Sequence, residues 1–361
     1  MKDDVFYMKL AIANAKAMKG QTSPNPLVGA VIVKHGDIVG IGAHLKVGEP
    51  HAEIHALQMA GEKAKGADMY VTLEPCTHHG KTGPCTEAII KSGVKRVFIA
   101  TQDPNPLVAG KGISLLKQSG IEVEEGICQR EADRLNLPFF HSIQTDMPYV
   151  TLKSAISIDG KIATAHKESK WITGTEARAE VQRLRQEADA VITGVETIIQ
   201  DDAGLIVKDS YTTQPIRVIL DSTLRIPLHA KCLTDQMAET IVCTSQTYDQ
   251  KKYDQLMEKG CQVFVTNGAH RTDIREVLKM LKVRSVMSVL VEAGGSVSAS
   301  FLEASLVNEA VVYMAPILIG GKNAPSLFEG EGVKKLKDAI HPVDIEYSMV
   351  GKDLKMTMRF Q

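Results

Sequence analysis

The chain has 361 residues, a net charge of −1 and 44% hydrophobic residues. This length predicts about two domains, and the balanced charge argues against a non-specific nucleic-acid-binding protein. Because no apolar run approaches about 18 residues and the N-terminus lacks a signal-peptide core, we expect neither a membrane span nor a secretory leader. Six widely spaced cysteines are too few for a disulfide scaffold, which indicates a protein of the reducing cytoplasm.

The first third of the chain alternates helix and strand patterns. After an amphipathic opening helix, the stretch 24–44 predicts a β-hairpin with its turn at 34–37. Pro50 suits the first turn of a helix whose apolar positions include Met59, so His51 and Glu53 are expected at the helix start. Strand and helix patterns then continue in turn to residue 126, which predicts an α/β sandwich.

The domain boundary is expected at the polar turn 144–148, which follows a helical stretch at 131–143. The predicted domains are therefore 1–146 and 147–361. Beyond the boundary, seven strand patterns with helices between most of them predict a second α/β domain. The closing segment 345–360 alternates on both sides of 351–353 and predicts an antiparallel hairpin, which would make the second sheet mixed.

Residues 51–85 concentrate metal-binding side chains. His51 and His55 form an i,i+4 pair, but the zinc-protease motif needs a glutamate directly after the first histidine, and it leaves the cysteines unexplained. By contrast, His51, Cys76 and Cys85 as zinc ligands, with Glu53 outside the ligand set, match the arrangement of zinc-dependent nucleobase deaminases. The second interpretation is favoured because a catalytic zinc site keeps three protein ligands and an open position.

These four residues suggest one reaction. Two thiolates and a neutral imidazole leave the zinc site formally neutral, and zinc lowers the pKa of a bound water to about 7. Glu53 is the predicted catalytic residue, which would take a proton from the water and return it to the leaving amine. The expected reaction is the hydrolytic deamination of an amidine-like ring carbon. A structural zinc site with His78 as fourth ligand is the alternative.

A second constellation lies in the C-terminal half, where the strand pattern 286–293 runs into the glycine pair at 294–295 and then a helix pattern. Such a turn puts bare amides beside a positive helix end, which suits a phosphate group. Many α/β turns carry a glycine pair without a ligand. No G-x-G-x-x-G motif accompanies this turn, so a Rossmann site is not indicated.

The segment between the two cysteines is distinctive. Thr-His-His-Gly-Lys-Thr-Gly-Pro separates them, where many zinc deaminases have two residues. With Ser-Pro-Asn-Pro-Leu-Val-Gly at 23–29 and His-Ala-Glu at 51–53, this spacing resembles the bifunctional deaminase/reductase family of riboflavin biosynthesis. The resemblance implies a cytidine-deaminase-like, three-layer α/β/α fold for the first domain. It also implies pyrimidine contacts from Asn25, His44, His78, Lys81, Asp103 and Asn105.

The second half resembles the same family through five further motifs: TLKSAISIDGKIAT at 151–164, SKWIT at 169–173, a Gly-x-x-Thr at 194–197, RVILD at 217–221 and VEAGG at 291–295. The resemblance implies a dihydrofolate-reductase-like α/β fold with NADPH as cofactor. The implied NADPH contacts are Ala155, Trp171, Thr197, Asp201, Ser222, Gly294, Gly295, Ser296, Val297, Ser298, Ala299 and Ser300. The implied contacts with the reductase substrate are Lys153, Ser169, Arg185, Leu205, Lys208 and Glu292. A core anchor is the alternative for Trp171, the only tryptophan.

The expected enzyme works in two steps, with one Zn2+ per chain in the first domain. It would deaminate 2,5-diamino-6-(5-phosphoribosylamino)pyrimidin-4-one and then reduce the ribosyl group to give 5-amino-6-(5-phosphoribitylamino)uracil. We expect a homo-oligomer, a dimer or a tetramer, with no nucleic-acid or membrane partner. One alternative is a tRNA-editing deaminase, which would need a basic, aromatic-rich surface, whereas aromatics are 5% of this chain. Another is a zinc-stabilised binding protein with an inactive reductase half.

One departure from the family pattern is testable. The usual DDPxLTxR reads DDAGLIVK at 201–208, so Ala203 replaces the proline and Lys208 the arginine. Lysine keeps the charge but loses the bidentate fork that suits phosphate, so we expect weakened substrate binding. Restoring the fork with Lys208→Arg should lower the KM of the reductase for its sugar-phosphate substrate and leave the KM for NADPH unchanged. An unchanged or higher substrate KM would contradict this expectation.

Overall fold

The chain folds into two units, Met1–Asp146 and Met147–Gln361, in a computed structural model that describes residues 3–77, 83–105, 108–208 and 213–360. They are called here the N-terminal unit and the C-terminal unit, and each has its own sheet and hydrophobic core. No helix in the described ranges is long and apolar enough to cross a membrane.

The N-terminal unit is built on one sheet of five strands in its described part. The strands are β1 (Gly29–Lys34), β2 (Asp37–Ala43), β3 (Asp68–Val71), β4 (Arg96–Ile99) and β5 (Glu122–Glu125). The helices are α1 (Asp4–Lys16), α2 (Ala52–Ala60), α3 (Cys85–Ser92), α4 (Lys111–Gln118), α5 (Gln129–Leu135) and α6 (Leu137–Gln144), with a 3-10 turn at Gly61–Ala64. The strand order is β2-β1-β3-β4-β5, antiparallel on both sides of β1 and parallel from β3 to β5.

The predicted hairpin is confirmed, with Lys34 paired to Asp37 across its turn. Side chains of a strand alternate between faces, and β1 shows the result. Ala30 and Ile32 pack in a core cluster with α2, α3 and α4, while Val31 and Val33 pack in a second cluster with α1 and α5. The sheet is thus covered on both faces, and the three-layer α/β/α fold is confirmed.

Helix α2 packs on β2 with almost no side chain between the two backbones. An added Cβ at Gly42 would lie 2.1 Å from the carbonyl oxygen of Ala52, and one at Gly40 would lie 2.3 Å from that of Ala56. The face of α2 that packs on β2 is therefore made of alanines. Met59, which was expected on the apolar face, is 65% exposed. The helix also begins later than predicted, because His51 is the N-cap and Pro50 precedes it.

The C-terminal end of the N-terminal unit departs from the single helix expected there. Helices α5 and α6 are separated by Asn136, which is 2% exposed. Its side-chain oxygen accepts the Leu27 N–H at 2.8 Å, and its amide donates to the Leu27 carbonyl at 2.9 Å. A buried amide pays for its desolvation through such bonds, so the break in the helix holds the loop before β1 in place.

The C-terminal unit has a nine-stranded sheet in the part of the chain described. Its strands are β6 (Tyr149–Ser157), β7 (Ala190–Gly194), β8 (Ile216–Leu220), β9 (Thr240–Thr244), β10 (Gln262–Val265), β11 (Ser288–Val291), β12 (Glu309–Ala315), β13 (Asp344–Val350) and β14 (Asp353–Arg359). The helices are α7 (Thr175–Glu187), α8 (Val195–Asp201), α9 (Lys231–Thr234), α10 (Gln250–Glu258), α11 (Ile274–Val283) and α12 (Gly295–Glu303), with a 3-10 turn at Leu336–Asp338.

The order of this sheet is β10-β9-β8-β7-β11-β6-β12-β14-β13. From β10 at one end of this order to β12, each strand is parallel to its neighbours. β12 pairs antiparallel with β14, and β14 with β13, so the mixed sheet and the closing hairpin are confirmed. In open α/β sheets, ligands bind beyond the carboxyl ends of the parallel strands. Several predicted reductase residues follow these ends directly: Thr197 after β7, Ser222 after β8, and Glu292 and Gly294 after β11.

Candidate active sites

The three predicted zinc ligands converge in the N-terminal unit. His51 caps α2, Cys76 lies in the loop after β3, and Cys85 begins α3. The Nδ1 atom of His51 lies 3.2 Å from the Sγ of Cys85 and 3.6 Å from that of Cys76, and all three atoms lie within 4.8 Å of one another. Tetrahedral zinc with usual bond lengths separates such N and S atoms by about 3.6 Å. The donor set therefore fits zinc in both chemistry and spacing.

The pKa values of Cys76 and Cys85 are shifted in opposite directions. A hydrogen bond from the Cys85 thiol, together with the neighbouring His51, lowers the pKa of Cys76 to about 4, and the reverse relation raises the pKa of Cys85. The backbone N–H of Cys85 also donates to the Sγ of Cys76 at 3.4 Å. A lowered pKa favours the thiolate of Cys76, which is the form that binds metal.

Glu53 lies in the first turn of α2 and is 3% exposed. Its Oε2 is buried and has no hydrogen-bond partner within the described ranges. Burial, reinforced by the negative charge of Cys76, raises the pKa of Glu53 to about 7. A buried carboxylate oxygen without a partner is costly, so this atom is suited to a group that arrives with water or substrate.

Two of the predicted pyrimidine contacts lie against each other near the zinc ligands. The Nδ2 of Asn25 lies 3.1 Å from the Nε2 of His44, and the His44 ring contacts the His51 ring edge-on at 5.3 Å. Burial lowers the pKa of His44, which favours the neutral imidazole. Asp103 and Asn105 lie in the loop after β4, where the Asn105 N–H donates to Asp103 at 2.9 Å. His78 and Lys81 lie outside the described residues.

In the C-terminal unit, three predicted substrate residues form a buried ion network. Glu292 is paired bidentately with Arg185, whose Nη2 lies 3.1 Å from Oε2, and Lys153 lies 3.4 Å from the same oxygen. The three side chains are between 9% and 18% exposed. Burial opposes ionisation of Glu292, but the charges of Lys153 and Arg185 lower its pKa to about 2. Two cations and one carboxylate leave one unit of positive charge in this network.

The remaining predicted substrate residues are less uniform. Ser169 lies 3.5 Å from Asp201, so a predicted substrate residue and a predicted cofactor residue meet. The Leu205 side chain is buried in the core, which leaves its main chain for any ligand contact. The Lys208 side chain is exposed. The backbone N–H of Lys208 donates to the side-chain oxygen of Gln182 at 3.0 Å.

The predicted cofactor residues lie on several elements. Trp171 is 68% exposed, so the alternative of a core anchor is wrong. Its ring contacts the Arg178 guanidinium at 4.8 Å, and both line a surface pocket with Lys352. Ala155 is half-buried on β6, Thr197 is half-buried on α8, and the Ser222 hydroxyl accepts the Thr272 N–H at 3.0 Å.

Helix α12 carries the glycine pair predicted to receive a phosphate. Gly294 is its N-cap and has open space where a Cβ would lie, and no side-chain cap bond is found there among the described residues. Orphan N–H groups at a helix N-terminus bind anions. The Glu329 carboxylate accepts the Ser296 hydroxyl at 3.3 Å, so one anionic group already lies at this end.

Comparison with known proteins finds a different family model for each half of the chain. Residues 148–348 match the RibD C-terminal domain, and residues 1–101 match the cytidine and deoxycytidylate deaminase zinc-binding region. The riboflavin biosynthesis protein RibD of Bacillus amyloliquefaciens is 50% identical over 98% of this chain and 95% of its own. The chain belongs to the RibD family.

Solved structures of RibD proteins share the fold of this chain. Acinetobacter baumannii RibD superposes with a TM-score of 0.87 at 41% identity, covering 99% of both chains. A Thermotoga maritima deaminase/reductase gives 0.85 at 34% identity, covering 98% of both chains. As a member of the RibD family, this chain is a bifunctional enzyme of riboflavin biosynthesis, with a zinc-dependent deaminase and an NADPH-dependent reductase.

The sequence predicts no role for two buried residues of this chain, Glu74 and Arg217. Glu74 is 4% exposed and accepts backbone N–H groups around the Asp103 loop. Arg217 is 1% exposed and donates to Asp235, Thr240, Gly204 and Ala238, which ties the 201–208 stretch to the sheet. The residue type gives no sign of the role of Glu74. For Arg217 a signal exists, because an arginine inside an apolar strand pattern indicates a buried partner.

Removing either thiolate should remove zinc. We expect Cys76→Ser and Cys85→Ser to reduce the zinc content of purified protein from one ion per chain to near zero, because a hydroxyl is a poor replacement for a thiolate ligand. Elemental analysis of zinc against protein measures this. Cys128→Ser is the matched control, since Cys128 lies in the same unit but outside the cluster. Full zinc content in either cluster variant would contradict the assignment.

Proposed function

We propose that residues 1–146 carry the deaminase and residues 147–361 the reductase. The deaminase would act on 2,5-diamino-6-(5-phosphoribosylamino)pyrimidin-4-one, and the reductase on the resulting 5-amino-6-(5-phosphoribosylamino)uracil. The Thermotoga maritima relative is a diaminohydroxyphosphoribosylaminopyrimidine deaminase/5-amino-6-(5-phosphoribosylamino)uracil reductase. The observation that carries the proposal is the convergence of three metal-binding atoms near a buried glutamate oxygen that has no hydrogen-bond partner among the described residues.

In the deaminase site, His51, Cys76 and Cys85 would hold zinc. Bound zinc supplies a water of lowered pKa. Glu53 would accept the proton of that water on its buried Oε2, which has no partner in the part of the chain that the structure describes, and return it to the leaving amine. A carboxyl group with a pKa near the working pH moves a proton in both directions efficiently, and burial places the pKa of Glu53 in that range.

The pyrimidine would lie between the loop before β1 and the loop after β4. Asn25 and a neutral His44 can offer donors and acceptors to the ring edge. The Asp103 carboxylate and the Asn105 amide would contact the same ring from the other loop. His78 and Lys81 are proposed for this site on the motif alone.

In the reductase site, the network of Lys153, Arg185 and Glu292 would meet the sugar phosphate. Its net positive charge in a buried setting suits a phosphate dianion. Glu292 holds the Arg185 fork in one orientation, so less side-chain freedom is lost when substrate binds. Ser169, Leu205 and Lys208 are proposed neighbours of this substrate.

Lys153 is also the proposed proton donor of the reduction. When the ribose ring opens, the exocyclic nitrogen forms a C=N bond to C1′ and the ring oxygen leaves with the bonding pair. A Lys153 ammonium can give that oxygen its proton, and the Glu292 carboxylate, 3.4 Å from the Lys153 Nζ, holds the lysine in position. Bound NADPH would supply the hydride for C1′.

The proposed NADPH site follows the carboxyl ends of β6, β7, β8 and β11. The N-terminus of α12 would receive a cofactor phosphate on the N–H groups of the 294–297 turn. Ala155, Thr197, Asp201, Ser222 and the exposed face of Trp171 would make the remaining contacts.

The proton role of Glu53 can be tested separately from metal binding. We expect Glu53→Gln to lower kcat of deamination by about 10²- to 10⁴-fold, because the amide cannot carry the proton. Zinc content and the reduction of the deaminated pyrimidine should be unchanged. Products are followed by mass, with and without NADPH.

The matched control is Glu49→Gln, an exposed glutamate just before the same helix. Full deamination by a zinc-loaded Glu53→Gln protein would refute the shuttle role. Turnover of tRNA, or zinc binding without any turnover of the pyrimidine, would favour the two alternative functions.

The homo-oligomer and the cytoplasmic location stay predictions. One surface suits self-association: the edge strand β13 exposes Ile345, Tyr347 and Met349 on one face. A contiguous apolar face of this kind is typical of interfaces. Light scattering should give the mass of a dimer or tetramer, and Tyr347→Lys should lower it. A monomeric parent, or an unchanged mass in the variant, would contradict this surface.

A further inference from the structure

Glu74 occupies a junction between the zinc-ligand turn and the loop that carries Asp103 and Asn105. It lies two residues before Cys76 and is 4% exposed. Its Oε2 accepts the N–H of Asp103 at 3.2 Å and of Gly110 at 3.0 Å. Its Oε1 accepts the N–H of Gly112 at 2.8 Å and of Ile113 at 3.2 Å. Four backbone donors from two segments thus converge on one carboxylate.

These bonds supply a helix cap from a distant part of the chain. Helix α4 has Gly110 as its N-cap and no side-chain cap from its own segment among the described residues. Gly112 and Ile113 are the second and third residues of the helix, where orphan N–H groups need an acceptor. An anionic acceptor is favoured there by the helix dipole.

The start of α4 is also packed so closely against Glu74 and Pro75 that no side chain fits at Gly112. An added Cβ at Gly112 would lie 2.2 Å from the Pro75 carbonyl oxygen and 3.1 Å from the Glu74 Oε1. The start of α4 therefore rests directly against the residue that precedes Cys76. Asp103, held by Glu74, in turn accepts the Asn105 N–H at 2.9 Å.

We propose that Glu74 is a positioning residue of the deaminase, which sets the distance between the zinc ligand Cys76 and the pyrimidine-contacting loop at Asp103 and Asn105. Its carboxylate contacts backbone N–H groups, so it would act through the two segments that it joins. Its carboxylate fixes both segments to one point, so the ring is held at the correct depth against the metal. This inference rests on the proposed deaminase site.

Replacing the carboxylate changes this geometry without removing side-chain volume. In Glu74→Gln, an NH2 group faces two of the four N–H donors, so one pair of bonds becomes a repulsive contact. Misplacement of a substrate by about 1 Å costs on the order of 10²-fold in rate. We expect deamination kcat/KM to fall by about that factor, with a raised KM for the pyrimidine. Glu74→Asp, which keeps the charge on a shorter stem, should lose less.

The experiment uses the full-length, zinc-loaded protein, with exposed Glu62→Gln as the matched control. Zinc content and reductase kcat/KM on the deaminated pyrimidine serve as internal measures of folding. The inference predicts that both stay at the parent level in Glu74→Gln while deamination falls. Parent-level deamination kcat and KM in the variant would overturn it, and so would loss of zinc, which would place the role of Glu74 at the metal.

Hydrogen exchange on the parent protein gives a second test that needs no variant to fold. The Asp103 amide should exchange as slowly as the Gly112 amide without substrate, because the same carboxylate binds both. Rapid exchange at Asp103 would overturn the inference. If instead the parent protein fails to deaminate the pyrimidine, the proposed function fails and this exchange result still stands by itself.

Discussion

The contact of α2 with β2 is the constraint on which the deaminase site depends. At the contact, Gly40 and Gly42 leave the helix-facing side of β2 without side chains. Ala52 and Ala56 place only methyl groups on the facing side of α2. The two backbones therefore meet directly, and little sliding is possible at native packing density. Since His51 caps this helix and Glu53 lies in its first turn, the same contact fixes both side chains relative to the sheet.

Buried carboxylates organise both units, but in different ways. Glu74 binds only backbone amides, so it joins segments of the chain. Glu292 binds the side chains of Arg185 and Lys153, so it sets charge and orientation. Asp353 belongs with the first type, because it accepts the Gly174 N–H at 2.7 Å and links the last hairpin to the start of α7. Glu74 and Glu292 are each held inside the protein by several partners, as burial requires.

The convergence of His51, Cys76 and Cys85 and the order of elements were predictable because they follow from local patterns: metal-binding residue types at characteristic spacing, and apolar periodicity in strands. What could not be predicted follows from contacts distant in sequence. Met59 fits the apolar pattern of α2, but the glycines of β2 bring the alanine face inward instead. Asn136 interrupts a helical pattern because it binds Leu27, 109 residues away. Glu74 acts on backbone N–H groups, which every residue except proline carries, so its role could not be deduced from the residue types of its partners.

The exposure of Trp171 has a practical consequence for solution studies. It is the only tryptophan of the chain, and its indole is largely solvated beside Arg178 in the C-terminal unit. The tryptophan fluorescence of this protein therefore originates from one surface position. Changes in that emission report on events around the SKWIT loop, whereas unfolding of the N-terminal unit must be followed by another signal, such as far-ultraviolet circular dichroism.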